Sequence, residues 1–169
     1  MTLSLYQASI PVFINQIGNL SEILKKGLAH AEAKKIEPSV LLSCRLYPDM
    51  HPLTRQVQMV SDSAKGASAR LAAVDAPSMP DTETTFDQLQ ARLAKTADFL
   101  KSLKPAQIDG FEDREIVLTL PNGKVPFKAQ AYLLGFAMPN FFFHVTTAYN
   151  ILRHNGVEIG KRDFLGAPR

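Results

Sequence analysis

Cysteine is nearly missing: Cys44 is the only one in 169 residues. A disulfide framework and a thiolate zinc site within one chain are both excluded. The lone thiol reads as a small packing residue rather than as a nucleophile. No apolar run approaches the roughly 18 residues of a membrane span. The start, MTLSLYQAS, lacks a basic segment followed by a long apolar core. No signal peptide is read there, and the expected compartment is the cytoplasm. Clustered positive charge is missing too. The net charge is +3, but no run of five Lys or Arg exists, so nucleic acid is not an expected partner. A Gly-rich phosphate loop, a Ser/His/Asp motif and paired catalytic carboxylates are also absent, so no reaction can be named from motifs.

What remains is ordinary for a folded domain. Hydrophobic residues make up 46% and charged residues 21%. That composition and this length fit a single domain over residues 1–169 with a sizeable core.

The most informative stretch is QAYLLGFAMPNFFFHVTTAYNILRHNG, Gln130 to Gly156. Leu133, Leu134, Ala137, Phe141, Val145, Ala148, Ile151 and Leu152 recur at three- and four-residue steps, the helical period. Pro139 interrupts this pattern without ending it, which predicts a kink, and Gly135 leaves the bend uncrowded. Gly156 supplies the C-terminal stop. Asn140 and His144 are four apart and share a face, which Thr147 extends. His144 reads either as a hydrogen-bonded core histidine or as a ligand. His154 points elsewhere and reads as a solvated last-turn residue.

The rest of the chain reads as further helices. Leu3, Tyr6, Ile10, Phe13, Ile17, Leu20, Leu24 and Leu28 form the seam of a first long helix. Within it, Pro11 predicts either a kink or a first turn capped by Ser9. A short helix is expected from Pro38, and a second long one from Pro52 with Leu53, Val57, Val60, Ala64, Ala67 and Leu71 inward. Thr85 and Gln88 fit a capping box that opens the third. Ile116, Leu118 and Leu120 then alternate, and Asn122-Gly123 is a two-residue hairpin turn. The tail from Val157 reads as irregular, with Phe164-Leu165 folding back. The expected main helices are thus 3–33, 52–73, 85–103 and 129–155, with a hairpin near 115–128. This is a mainly α fold, a four-helix bundle with a short β-hairpin before the last helix. The surplus of apolar periodic faces predicts a homodimer.

The strings QASIPVF, PLTRQVQ, PNFFFHVTTAY and LRHNGVEIGK resemble a branch of the DinB/YfiT-like superfamily that is a domain of unknown function. The likeness runs over essentially the whole chain and implies the DinB-like four-helix bundle. Within the superfamily, three histidines from the second and fourth helices commonly hold a divalent metal, zinc or nickel among them. Here His144, Arg153 and Gly156 match the second histidine of the fourth-helix motif and the arginine and glycine after it. Asn140 takes the place of the first histidine. On the second helix the matching position is Gln58, with Gln56 as the alternative. The resemblance therefore implies a site of Gln58, Asn140 and His144, with His144 the one imidazole ligand. Amide oxygens bind transition metals weakly, so no cofactor is expected and the metal position is expected to be vacant or weakly filled. A small-molecule-binding or structural bundle with a degenerate metal site is the leading expectation. The alternative is a metal-dependent thiol transferase or hydrolase working through a divalent metal on His144.

Overall fold

The computed structural model describes residues 4–120 and 122–166. Leu3 of the first helical seam, Pro121 next to Asn122 and Pro168 of the tail lie outside the described residues. The elements are α1 (Leu5–Lys34), α2 (Pro38–Ser43), α3 (Leu53–Ala72), α4 (Phe86–Ser102), a single 3-10 turn (Pro105–Gln107), β1 (Glu115–Leu120), β2 (Gly123–Lys128), α5 (Ala129–Tyr132), a π turn (Leu133–Ala137), α6 (Met138–His154) and α7 (Lys161–Leu165).

Four of these helices form the bundle. α3 packs against α6 and α4, and α1 packs against α4 and α6. Consecutive long helices α1 and α3 therefore sit across a diagonal, and α2 carries the chain between them. The core is the predicted apolar seam: Ile10, Phe13, Ile17, Leu20, Leu24, Val57, Val60, Leu89, Leu93, Phe141, Val145 and Leu152 are all buried. Phe13 and Phe141 meet edge to face at 4.7 Å between centroids, locking α1 to α6. No described helix is long and apolar enough to cross a membrane.

Local chemistry explains most boundaries. Ser4 caps α1 by accepting from the Gln7 amide, so Ser9 is not the cap. Ser9 instead donates to the Leu5 carbonyl at 2.6 Å, inside a helix that runs through Pro11. The Thr85–Gln88 capping box forms as expected, with both bonds at 3.2 Å. The hairpin pairs antiparallel from Glu115↔Lys128 to Leu120↔Gly123. Gly123 has φ +126, a conformation that side chains disfavour. Ile116 and Leu118 face the bundle, and Val117 faces out.

Two expectations are corrected. The two-residue turn is not Asn122-Gly123, because Gly123 pairs with Leu120 as the first residue of β2. At Pro139 the expected disturbance takes the form of a π turn just ahead of the proline, where the Met138 amide bonds to the Leu133 carbonyl. Pro139 then sits in the first turn of α6, where a missing N–H costs little. The tail is not wholly irregular either, because α7 forms. It docks where Gln16 and Asn19 both donate to the Phe164 carbonyl at 3.0 Å, while Phe164 lies edge-on to Tyr149.

Candidate functional site

α3 and α6 run alongside each other, and their facing polar residues pair. His144 Nδ1 lies 2.9 Å from Gln56 Oε1. Both side chains are buried, at 6% and 2% exposure. The amide nitrogen of Gln56 donates to the His51 carbonyl at 3.2 Å. A carbonyl only accepts, so the Gln56 amide is oriented with its oxygen toward His144. That oxygen also only accepts, so Nδ1 carries the ring proton and Nε2 keeps its lone pair. The ring is held neutral. Burial lowers its pKa first, and the nearby charges of His51 and Arg55 add to the effect. One turn back, Asn140 Nδ2 donates to Ser63 Oγ at 2.8 Å. Thr147 bonds the Phe143 carbonyl of its own helix at 2.7 Å.

Gln58 is not part of this row. It lies two residues past Gln56, about 200° around the helix. Its nitrogen donates to Glu83 at 2.9 Å, and its oxygen accepts from Arg55 at 3.3 Å. The residue of α3 that meets His144 is therefore Gln56, the alternative reading of that position.

Gln58 belongs to an ionic network on the other flank of α3. Arg92 of α4 has a side chain only 1% exposed and pairs with Asp62 at 2.8 Å, Asp81 at 3.0 Å and Glu83 at 3.0 Å. Lys65 adds a second pair to Asp62 at 3.1 Å, and Arg55 pairs with Asp81. Burial pushes the Glu83 carboxyl up. The hydrogen bonds from Arg92 and Gln58, with Arg92's charge, outweigh it and hold the group below its usual range. This network ties the proline-rich segment after α3 to the bundle.

A cleft of about 230 Å³ opens where α3, β1 and the π turn meet. Asn140 and Ser63 line it together with Asp62, Arg70, Tyr132, Phe136, Ala137, Leu118 and Thr119. Tyr132, Phe136 and Asn140, successive at four-residue steps, all border this opening. Arg70 Nη1 donates to the Tyr132 hydroxyl at 3.2 Å. A larger groove of about 600 Å³ runs beside His30 and Gly156, but most of its lining residues are exposed and none is a predicted site residue.

The donor set does not fit a divalent transition metal. Gln56 offers its oxygen to the same imidazole that would be the ligand, Asn140 is turned to Ser63, and Gln58 is on the wrong side of α3. Among the described residues no group of three or more His, Cys, Asp or Glu could hold an ion. His51, whose backbone carbonyl accepts from Gln56, is exposed.

The family described as Domain of unknown function (DUF1993) has a model that matches residues 5–165. The chain belongs to the DUF1993 family. It is also similar to a solved structure, the crystal structure of a DinB family member protein from Shewanella denitrificans at 1.83 Å resolution. That protein is 39% identical over 97% of this chain and 93% of its own, with a TM-score of 0.90. This DUF1993 chain is thus a mainly helical, DinB-like bundle with a two-stranded hairpin. No functionally curated protein matches it significantly.

Sequence reasoning found Asn140 and His144 in this DUF1993 bundle but missed Ser63, Arg70, Tyr132 and Arg92. A signal existed for one of them. Ser63 lies seven residues after Gln56, two helical turns along one face, as Asn140 and His144 are one turn apart on theirs.

Proposed function

We propose that this DUF1993 protein is a small-ligand-binding bundle. In this reading, neutral amide–imidazole pairing has replaced the superfamily's metal position, and the ligand occupies the cleft at the π turn. One observation carries it: Asn140, in the place of a superfamily histidine, lines a cleft that also gathers Ser63, Arg70 and Tyr132. A few convergent polar groups over an apolar wall are what a ligand pocket needs. Filling the cleft tests the reading. Asn140→Leu should abolish the thermal stabilisation that small organic probes give the wild type. A panel that stabilises both proteins equally would refute it.

The alternative, a metal-dependent thiol transferase or hydrolase, draws on one feature. The tautomer of His144 leaves the Nε2 lone pair as the ring's donor site. Titration of tag-free protein with zinc and with nickel separates the two readings. Weak, non-stoichiometric binding supports the first. Tight stoichiometric binding that vanishes in His144→Ala supports the second. We also propose that the protein is a homodimer, because Phe143 and Leu134 of the last helical segment are 57% and 46% exposed. A monomer by light scattering at working concentration would remove that proposal.

A further inference from the structure

We infer that the cleft at the π turn takes a small carboxylic acid as its anion, with Arg70 and Tyr132 holding the carboxylate and Phe136 and Leu118 covering an apolar body. The inference rests on the cleft reading above and adds the ligand's chemical class. Arg70 is the starting point. Among the described residues no carboxylate pairs with it. Arg92, by contrast, pairs with three. A guanidinium has five donors in a planar fork suited to a carboxylate. Arg70 spends one of them on Tyr132.

That one bond sets the second donor. The Tyr132 oxygen accepts from Arg70, so its own proton is available to another acceptor. Burial raises the Tyr132 pKa, outweighing Arg70's charge and hydrogen bond, so the hydroxyl keeps that proton. Ser63 is in the same position, since its oxygen accepts from Asn140. Donors from Arg70, Tyr132 and Ser63 thus border one cleft.

Asp62 also lines the cleft, but Arg92 and Lys65 offset its charge. Gly66 completes the arrangement. A side chain there would put Cβ 2.9 Å from Arg70 Nη1, so the bare backbone is what lets the guanidinium lie where it does. The opposite wall is apolar, with Phe136 stacked on Tyr132 at 6.0 Å. A volume of about 230 Å³ holds roughly eight groups the size of a water molecule. That suits an acid the size of benzoate.

The test is calorimetric titration of the full chain with benzoate, its neutral isostere benzamide, its cationic isostere benzamidine, and inorganic phosphate. Benzoate should bind, and benzamide should bind about tenfold more weakly, the size of one charge-assisted bond. Benzamidine should not bind. Arg70→Gln should weaken benzoate about tenfold and leave benzamide unchanged. Arg70 is exposed, so this variant should fold, and its melting temperature checks that. Equal affinity for benzoate and benzamide, with both lost in Asn140→Leu, would overturn the ligand class and leave the cleft reading standing. Phosphate binding through Arg70 without benzoate binding would overturn the carboxylate. Binding of none of the four probes would overturn the inference, while a thermal shift by other organic compounds, lost in Asn140→Leu, would still support the cleft.

Discussion

α3 meets its two neighbours with different polar chemistry. Toward α4 it presents Arg55, Asp62 and Lys65, which join Asp81, Glu83 and Arg92 in a network of full charges. Toward α6 it presents Gln56 and Ser63, which pair with His144 and Asn140 and carry no net charge. The charged side fastens a loop and pairs its central cation with three carboxylates, although Arg92 Nε is buried without a partner. The neutral side fastens two helices and borders the open cleft. A charge-paired network resists a new ion, because any added charge disturbs pairs already made. Neutral pairs with protons to spare invite one.

Breaking the charged side should have the largest effect. Arg92→Ala leaves Asp62, Asp81 and Glu83 facing each other without their shared cation. Loss of a buried partner costs about 3 kcal/mol or more. Urea unfolding should show it as a lower midpoint. A change under about 1 kcal/mol would mean that solvent already screens the three carboxylates.

The neutral side should cost less. His144→Ala removes a buried ring and leaves the Gln56 oxygen without its donor, about 2 kcal/mol in all. The comparison sharpens with salt. At about 1 M the screening length falls to about 3 Å. The Arg92→Ala penalty should then shrink, and the His144→Ala penalty should stay. Equal shrinkage would place a charge on His144 that its surroundings argue against.

Acid should separate the two sides by pH window. The folded Glu83 carboxyl lies below its ordinary value of 4.5. Its contribution is complete above that pH and is lost as the pH falls through the folded value. Folded His144 lies below its ordinary 6.5, with burial the largest cause. Below pH 6.5 the unfolded chain takes a proton that the folded chain refuses, so stability again falls with pH, but in the higher window. Stability measured against pH should therefore descend twice. His144→Gln should flatten the upper descent and Glu83→Gln the lower. One descent, abolished by either variant, would contradict separate sites.

The helices, the capping box at Thr85 and the hairpin itself were legible in the sequence, because each follows from neighbours along the chain; the exact turn was not, since Gly123 pairs with Leu120 inside β2. The site was legible only in part, and α3 shows why. Gln56 and Gln58 each stand about 100° from Val57, on opposite flanks of the same apolar stripe. Periodicity locates the stripe but not which flank faces α6, since that depends on how the bundle winds. The same limit hid Arg92, whose three carboxylates come from α3 and the following loop. Pro139 announced a disturbance, but not that it would take the form of a π turn.

The smallest change expected to matter is Gly66→Ala. Gly66 sits in the interior of α3 with ordinary helical φ, so alanine fits the backbone. Helix propensity alone favours the substitution by about 1 kcal/mol. Against this stands the new Cβ, 2.9 Å from Arg70 Nη1. That atom is the far end of a flexible, exposed side chain, so it can swing away at little cost. Stability should change by less than about 1 kcal/mol, in the favourable direction. The swing, however, takes the guanidinium off the Tyr132 hydroxyl and away from the cleft. Benzoate affinity should fall toward that of Arg70→Gln while the melting temperature holds or rises. Unchanged benzoate affinity would show that Arg70 reaches the anion from another rotamer, and that the bare backbone at Gly66 does not preset the site.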